Sequence, residues 1–179
     1  MTEINGSGEF TALSAFHSPR RTAGWVISWT RWKRPKMDLR PLSDDHSVAG
    51  QLDPADMAAL AAQGMTTVIC NRPDTEVPPS HQAAAMQQAA EAAGLDFIFN
   101  PVNGAAMTMD NVEEQAEALD SAQGPVVAYC ASGMRSAVMW AFAQAGRMPT
   151  DDIIAAGEAA GYQLAGMRGQ IDALAARAG

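Results

Sequence analysis

The run YCASGMRSA, Tyr129 to Ala137, sets a cysteine five residues ahead of an arginine, with a glycine between them. Those residue types at that spacing suit one chemistry. A cysteine becomes a strong nucleophile once its thiolate is favoured. A tight turn through Gly133 lets successive backbone N–H groups aim at one point and cradle an anion. Arg135 presents a planar fork that takes two oxygens of a tetrahedral anion together. Ser136 brings a hydroxyl that can donate to the sulfur or protonate it as it leaves. Cys130 is then the nucleophile, with Arg135 over the rim of an anion-binding loop made by Ala131, Ser132, Gly133, Met134 and Ser136. The same letters also describe a buried cysteine at a strand end before a helix. That reading gives Gly133 and Arg135 no reason to be there.

Such a loop works only where a strand delivers the cysteine and a helix begins just after it. The first N–H groups of a helix have no internal partners, and the dipole makes that end positive. The sequence supplies both elements: PVVAYC reads as the most buried strand, and SAVMWAFAQAG as the helix that follows. MDLRPL and HSVAGQ read as two short strands about a polar turn at residues 43–45. Asp53, Pro54 and Gly64 bound a helix as cap, first residue and terminator. TTVIC is a β-branched strand ending at Cys70, NRPDTEVPPS a loop, and Ser80 the expected cap of HQAAAMQQAAEAAG. LDFIFNPV is a strand and NGAAM a flexible loop. Thr108 caps MDNVEEQAEALDSAQ, and DDIIAAGEAAG and QIDALAARAG end the chain as helices. Alternating strands and helices predict an α/β fold, a mostly parallel sheet covered on both faces. Ligands in such sheets sit beyond the carboxyl ends of the strands. Three loops converge there: 71–79, 100–107 and 130–136.

Composition narrows the function classes. The chain has 179 residues, 47% hydrophobic but only 6% aromatic, enough for one domain with a core of small aliphatic side chains. Its formal charge of −8 is uneven. Residues 1–36 carry six basic residues against two acids and three of the four Trp, while residues 37–179 carry six arginines against 18 acids. So acidic a body repels polyphosphate, which argues against a nucleic-acid partner. Any anion site must be local. Residues 1–36 read as a basic, disordered N-terminal extension ahead of a domain spanning 37–179; the sharper alternative is a Trp-bearing segment that touches a membrane surface or a partner. Two cysteines without metal-ligand spacing suit neither a disulfide scaffold nor a metal site. No metal or cofactor is expected. No apolar run approaches a membrane span, so stable membrane insertion is not expected and the reading is cytoplasmic.

The loop also resembles two groups of cysteine enzymes. Protein tyrosine and dual-specificity phosphatases place five residues between Cys and Arg, followed by Ser or Thr. Rhodanese sulfurtransferases often carry the shorter Cys-x-x-Gly-x-Arg-Ser form, which has the four-residue spacing found here. Over the wider chain, SVAGQLDPADMAALAAQGMTTVICNRPD, NPVNGAAMT and AYCASGMRSAVMWAFAQA resemble, in order and spacing, a bacterial family from about Met37 to Arg168. This is the phosphatase-like domain of the β-lactamase hydrolase-like proteins. The resemblance implies a cysteine-phosphatase-like three-layer fold. Members of that family are described both as phosphatases and as sulfur transferases.

This chain departs from those patterns at three places. Tyr129 stands where phosphatases usually carry His. Ala131 stands where rhodanese-like loops carry Arg. Asn103 stands near the usual place of the Asp general acid, and an amide cannot protonate a leaving group. The resemblance puts the 71–79 loop beside the catalytic strand, which makes Asp74 the candidate acid, with Arg72 binding anion or orienting it. The plainer alternative is an Arg72–Asp74 ion pair that fixes the loop. Asp110 is a weaker candidate. Cys70 reads as a core thiol, or as a redox partner of Cys130. His46 and His81 read as surface residues, and the carboxylates at 113, 114 and 117 as a solvated helix face. Ser132 has no sequence-visible base. Three functions follow: a phosphatase-like hydrolase of a small phosphorylated substrate, a persulfide-forming sulfurtransferase, and a non-catalytic protein that binds anions or a partner. Oligomeric state is left open.

Overall fold

The structure, a computed structural model, describes residues 37–104 and 106–178. The expectations for residues 1–36 lie outside these. Five strands and six α-helices form among the described residues: β1 (Arg40–Pro41), β2 (His46–Ala49), α1 (Met57–Ala62), β3 (Thr67–Cys70), α2 (Ala83–Ala92), β4 (Asp96–Phe99), α3 (Met109–Ser121), β5 (Val126–Tyr129), α4 (Met134–Ala143), α5 (Thr150–Ala159) and α6 (Arg168–Ala178). The sheet order is β1-β2-β5-β3-β4. Only the short β1–β2 pair is antiparallel; β2–β5, β5–β3 and β3–β4 are parallel. Parallel neighbours need long crossovers, and the helices provide them.

Alternation along the strands assigns the two faces. Val68, Cys70, Val127 and Tyr129 pack towards α1 and α2 with Met57, Leu60, Met86 and Ala90. Val48, Ile69, Val126 and Ala128 pack towards α3 to α6 with Trp140, Ile153, Leu164 and Ile171. With a side-chain period of two, a β-branched strand buried on both faces feeds both cores. β5 lies between β2 and β3 and all four of its residues are buried. The strand that delivers Cys130 is thus a fully buried interior strand, as is β3. No helix among the described residues is long and apolar enough to cross a membrane.

Local chemistry explains the boundaries, and corrects some expectations. Gly64 ends the first helical segment at φ 87°, in the left-handed region that glycine tolerates. Its start is a 3-10 turn over Pro54–Asp56, where the Asp56 carboxylate accepts the Asp53 N–H at 2.8 Å. Asp53 is its N-cap, paired with Asp56 in a capping box, and its side chain also meets His81 Nε2 at 2.7 Å. Thr108 caps α3 as expected, its hydroxyl accepting from the Asn111 N–H at 3.2 Å. Ser80 does not cap α2. That helix starts at Ala83, and the Asp74 carboxylate accepts the Ala83 N–H at 2.7 Å.

His46 is not a surface turn residue. It opens β2 on the same face as Val48, is 3% exposed and stacks on Trp140 with ring centroids 6.3 Å apart. Neither of its ring nitrogens has a hydrogen-bond partner, and burial pushes its pKa down to about 4.

Candidate active site

The Cys130 turn is held from outside. The Cys130 N–H donates to the Ala49 carbonyl at 3.4 Å, the Gln51 N–H to the Ala131 carbonyl at 3.3 Å, and the Tyr162 hydroxyl to the Ser132 carbonyl at 3.3 Å. A peptide whose carbonyl is anchored outward turns its N–H inward. Inside the turn, the Gly133 N–H meets Cys130 Sγ at 3.2 Å. Gly133 sits at φ 88°. A Cβ there would lie 2.0 Å from Tyr162 Oη and 3.2 Å from the Ala49 carbonyl oxygen, so the turn requires glycine on both counts. α4 begins at once: the Ala137 N–H bonds the Gly133 carbonyl at 2.9 Å. The helix thus starts two residues before its apolar run, and Met134 and Arg135 form its first turn.

Cys130 lies at the bottom of this cradle, 1% exposed. Burial, the largest single influence, raises its pKa. The N–H groups of Ser136, Ser132, Arg135 and Gly133 together outweigh burial and hold the thiol below its ordinary value. The backbone N–H groups of residues 132, 133, 135 and 136 thus converge on the sulfur. Ser136 contributes differently from expectation. Its hydroxyl is buried without a hydrogen-bond partner, and its influence on the sulfur comes through its backbone N–H.

Arg135 stands at the rim, and Glu76 holds it. Arg135 Nη1 donates to Glu76 Oε1 at 2.9 Å and Nη2 to Oε2 at 2.6 Å, while Nη1 also bonds the Val102 carbonyl at 2.8 Å. The pairing depresses the Glu76 carboxyl pKa, with the Arg135 hydrogen bond as the main cause. Backbone bonds tie these loops to β5: Asn71 N–H to the Tyr129 carbonyl at 2.9 Å, then Val102 N–H to the Asn71 carbonyl at 3.1 Å. Beneath them, Asn71 Nδ2 and Asn100 Nδ2 both donate to Gln115 Oε1, and Asn111 Nδ2 donates to Asn100 Oδ1. This buried amide cluster holds the 71–79 and 100–107 loops against α3.

Arg72 does not pair with Asp74. Its Nη1 donates to Gln51 Oε1 at 2.8 Å and its Nη2 to the Glu76 carbonyl at 3.1 Å, with Nε 3.4 Å from Glu76 Oε2. The loop-fixing ion pair is thus Arg72–Glu76, because four-residue spacing across the 3-10 turn brings those side chains together. Asp74 holds α2 through one oxygen, as described above. Asn103 is exposed on the turn closed by the Ala106 N–H at 2.8 Å. Cys70 and Cys130 are both free, and register places Cys70 beside Tyr129. Burial pushes the Cys70 thiol up.

Sequence reasoning missed Glu76 and Tyr162. The Arg72-to-Glu76 spacing could have flagged the first pair. Nothing in the sequence links Glu76 to Arg135, 59 residues on, or Tyr162 to the loop, 30 residues back.

Comparison with known proteins fits this geometry. Residues 38–147 match the family described as Beta-lactamase hydrolase-like protein, phosphatase-like domain. An Agrobacterium fabrum Beta-lactamase hydrolase-like protein is 35% identical over 120 residues, 66% of this chain but 28% of the relative. The chain therefore spans under a third of the length of the curated relatives it matches. The crystal structure of a candidate phosphatase from Neisseria meningitidis is 35% identical, with a TM-score of 0.67, covering 78% of this chain and 99% of that one. Kinase associated phosphatase shares the fold at 12% identity, with a TM-score of 0.63 over 81% of this chain and 97% of that one. By its matched residues and its protein-tyrosine-phosphatase-like fold, the chain belongs to the phosphatase-like domain family of the Beta-lactamase hydrolase-like proteins.

Proposed function

We propose that the domain is a cysteine-dependent hydrolase of phosphomonoesters. The observation that carries this is the ring of inward N–H groups on Cys130 with Arg135 fixed at its rim. A phosphoryl group entering the cradle meets N–H donors and a guanidinium that match three equatorial oxygens. Cys130 Sγ attacks phosphorus, an S–P bond forms and the P–O bond to the leaving group breaks. Charge grows on the equatorial oxygens at that moment, where preorganised donors stabilise most. Asp74 is the acid of this reading, its Oδ2 protonating the leaving oxygen while Oδ1 holds α2. Water then attacks phosphorus, the S–P bond breaks, and phosphate and thiolate are released. The substrate is small and phosphorylated, and the setting is the cytoplasm, where thiols stay reduced.

A second reading has its own support. The Cys-to-Arg spacing is of rhodanese length, and the Asp74 carboxylate is already engaged by α2. In that reading Cys130 Sγ attacks the sulfane sulfur of a donor such as thiosulfate, the donor's S–S bond breaks and sulfite leaves, and the same N–H groups hold the persulfide until a thiol acceptor takes its outer sulfur. One comparison separates the two. Protein and its Cys130→Ser variant are assayed with p-nitrophenyl phosphate, and with thiosulfate plus a thiol acceptor. Phosphatase turnover lost in the variant supports the hydrolase. Thiosulfate turnover with one added sulfur on Cys130 overturns it in favour of transfer. Anion binding without either turnover overturns both.

A further inference from the structure

One contact on the Cys130 turn comes from far along the chain, outside the residues that match the family. Tyr162 follows Gly161, which has φ 84°, in the reversal after α5, and its N–H closes that reversal on the Gly157 carbonyl at 2.8 Å. The side chain is 5% exposed. Its hydroxyl donates to the Ser132 carbonyl at 3.3 Å, and the tip of the ring covers Gly133 so closely that a Cβ there would meet Oη at 2.0 Å.

The Ser132 carbonyl and the Gly133 N–H belong to one peptide unit. That unit is therefore bonded at both ends, by Tyr162 Oη on its oxygen and by Cys130 Sγ on its N–H. In a planar trans peptide these groups point opposite ways, so fixing the carbonyl outward fixes the N–H inward. Glycine needs such a lock, because it can turn either way at little cost. A donor on the carbonyl also polarises the peptide and strengthens its N–H as a donor.

The ring is itself held. The Arg40 guanidinium lies 5.3 Å from its centroid, and Arg40 Nε donates to Asp38 at 2.9 Å. Burial raises the Tyr162 pKa, which keeps the phenol protonated and a donor.

We propose that Tyr162 is a positioning residue of the cysteine loop: its hydroxyl locks the Ser132–Gly133 peptide with its N–H on the Cys130 sulfur and thereby sets the reactivity of that sulfur. The inference rests on Cys130 acting as a thiolate, whichever group it attacks.

The test is the pH dependence of Cys130 alkylation by iodoacetamide, read on the Cys130 peptide by mass spectrometry. Wild type and Tyr162→Phe are compared, since Phe keeps the ring and removes only the hydroxyl. The midpoint is expected to rise in the variant by about half to one pH unit, the equivalent of one lost hydrogen bond. Alkylation at a pH below the wild-type midpoint then slows about three- to tenfold, and the two rates converge at high pH. The amide resonance of Gly133 moves upfield as its bond to sulfur weakens. An unchanged midpoint and an unmoved Gly133 amide in a folded Tyr162→Phe protein overturn the proposal. A wild-type midpoint at that of a free cysteine overturns the thiolate reading itself, so the two failures are told apart. If Tyr162→Phe does not fold, Arg40→Gln loosens the ring from outside the loop. A raised midpoint there supports the lock, and an unchanged one opposes it.

Discussion

Replacing Glu76 by Gln removes one charge while keeping shape and one acceptor, and it tests how Arg135 is held. In the wild type both Glu76 oxygens bond the guanidinium, at 2.9 and 2.6 Å, and the two side chains are 36% and 16% exposed. Breaking a fully buried pair costs about 3–5 kcal/mol, and an exposed one contributes under about 1 kcal/mol. At these exposures, with one acceptor kept, the expected loss of stability is about 1 kcal/mol. The effect on turnover is larger in kind. Arg135 keeps its bond to the Val102 carbonyl and one bond to the Gln oxygen but loses the second carboxylate oxygen that fixes the plane of its fork. A fork held less firmly in its plane meets the transition state in several orientations. A loss of about tenfold in kcat/KM, or about 1.4 kcal/mol, is expected. Steady-state kinetics with p-nitrophenyl phosphate, together with inhibition by inorganic phosphate, reads this directly. Orientation predicts a lower kcat and phosphate inhibition no tighter than wild type. Unchanged kcat with tighter phosphate inhibition would show that Glu76 only competes for Arg135, and would refute the reasoning. Stability carries a pH signature with a definite sign. The folded-state pKa of Glu76 is depressed, so its contribution is present above the ordinary carboxylate range and is lost as pH falls through the folded value. The Tm difference between wild type and Glu76→Gln should therefore shrink in acid.

Asp74→Asn separates two roles of one side chain. Asn still caps α2 through its amide oxygen, so the unfolding free energy should hold within about 1 kcal/mol, while an acid role predicts a loss of about 100-fold or more on alkyl phosphates and less on p-nitrophenyl phosphate. Equal activity on both substrates removes Asp74 from the mechanism. Gly133→Ala should lower Tm and nearly abolish turnover, because the left-handed backbone and the Tyr162 hydroxyl both exclude a Cβ; near-normal kinetics would mean the turn is looser than described. His46 is buried neutral with its pKa near 4, so the unfolded chain binds its proton first as pH falls from 6.5. Stability should drop by about 2 kcal/mol between pH 7 and pH 5 on this account alone, and a His46→Phe protein should lose most of that slope in denaturant titrations.

What the sequence made legible follows from where the information is local. Strand, turn and helix around Cys130 lie within consecutive residues, so Cys130, Gly133 and Arg135 could be read together as one candidate site. The Thr108 cap and the Gly64 stop are equally local. Ser80 failed as a cap because Asp74, nine residues before Ala83, folds back to take the Ala83 N–H. His46 read as a surface residue because it is polar, yet it opens β2 on the inward face and the pleat carries its ring onto Trp140. Glu76 and Tyr162 were out of reach for the same reason. Each meets the site across the fold, and only the sheet order and the α5 reversal bring them there. The departures at Tyr129, Ala131 and Asn103 were visible as letters. Tyr129 proves to face the α1–α2 core, with its hydroxyl buried without a hydrogen-bond partner.

The central claim is that Cys130 carries the phosphoryl group between substrate and water. Rapid mixing with p-nitrophenyl phosphate, an acid quench and peptide mapping test it most directly. The account predicts a phosphoryl group on the Cys130 peptide, absent from Cys130→Ser and appearing with the burst of p-nitrophenol. Phosphate release with an unmodified Cys130 at every quench time, or a sulfur adduct there in place of phosphoryl after reaction with thiosulfate, would contradict it.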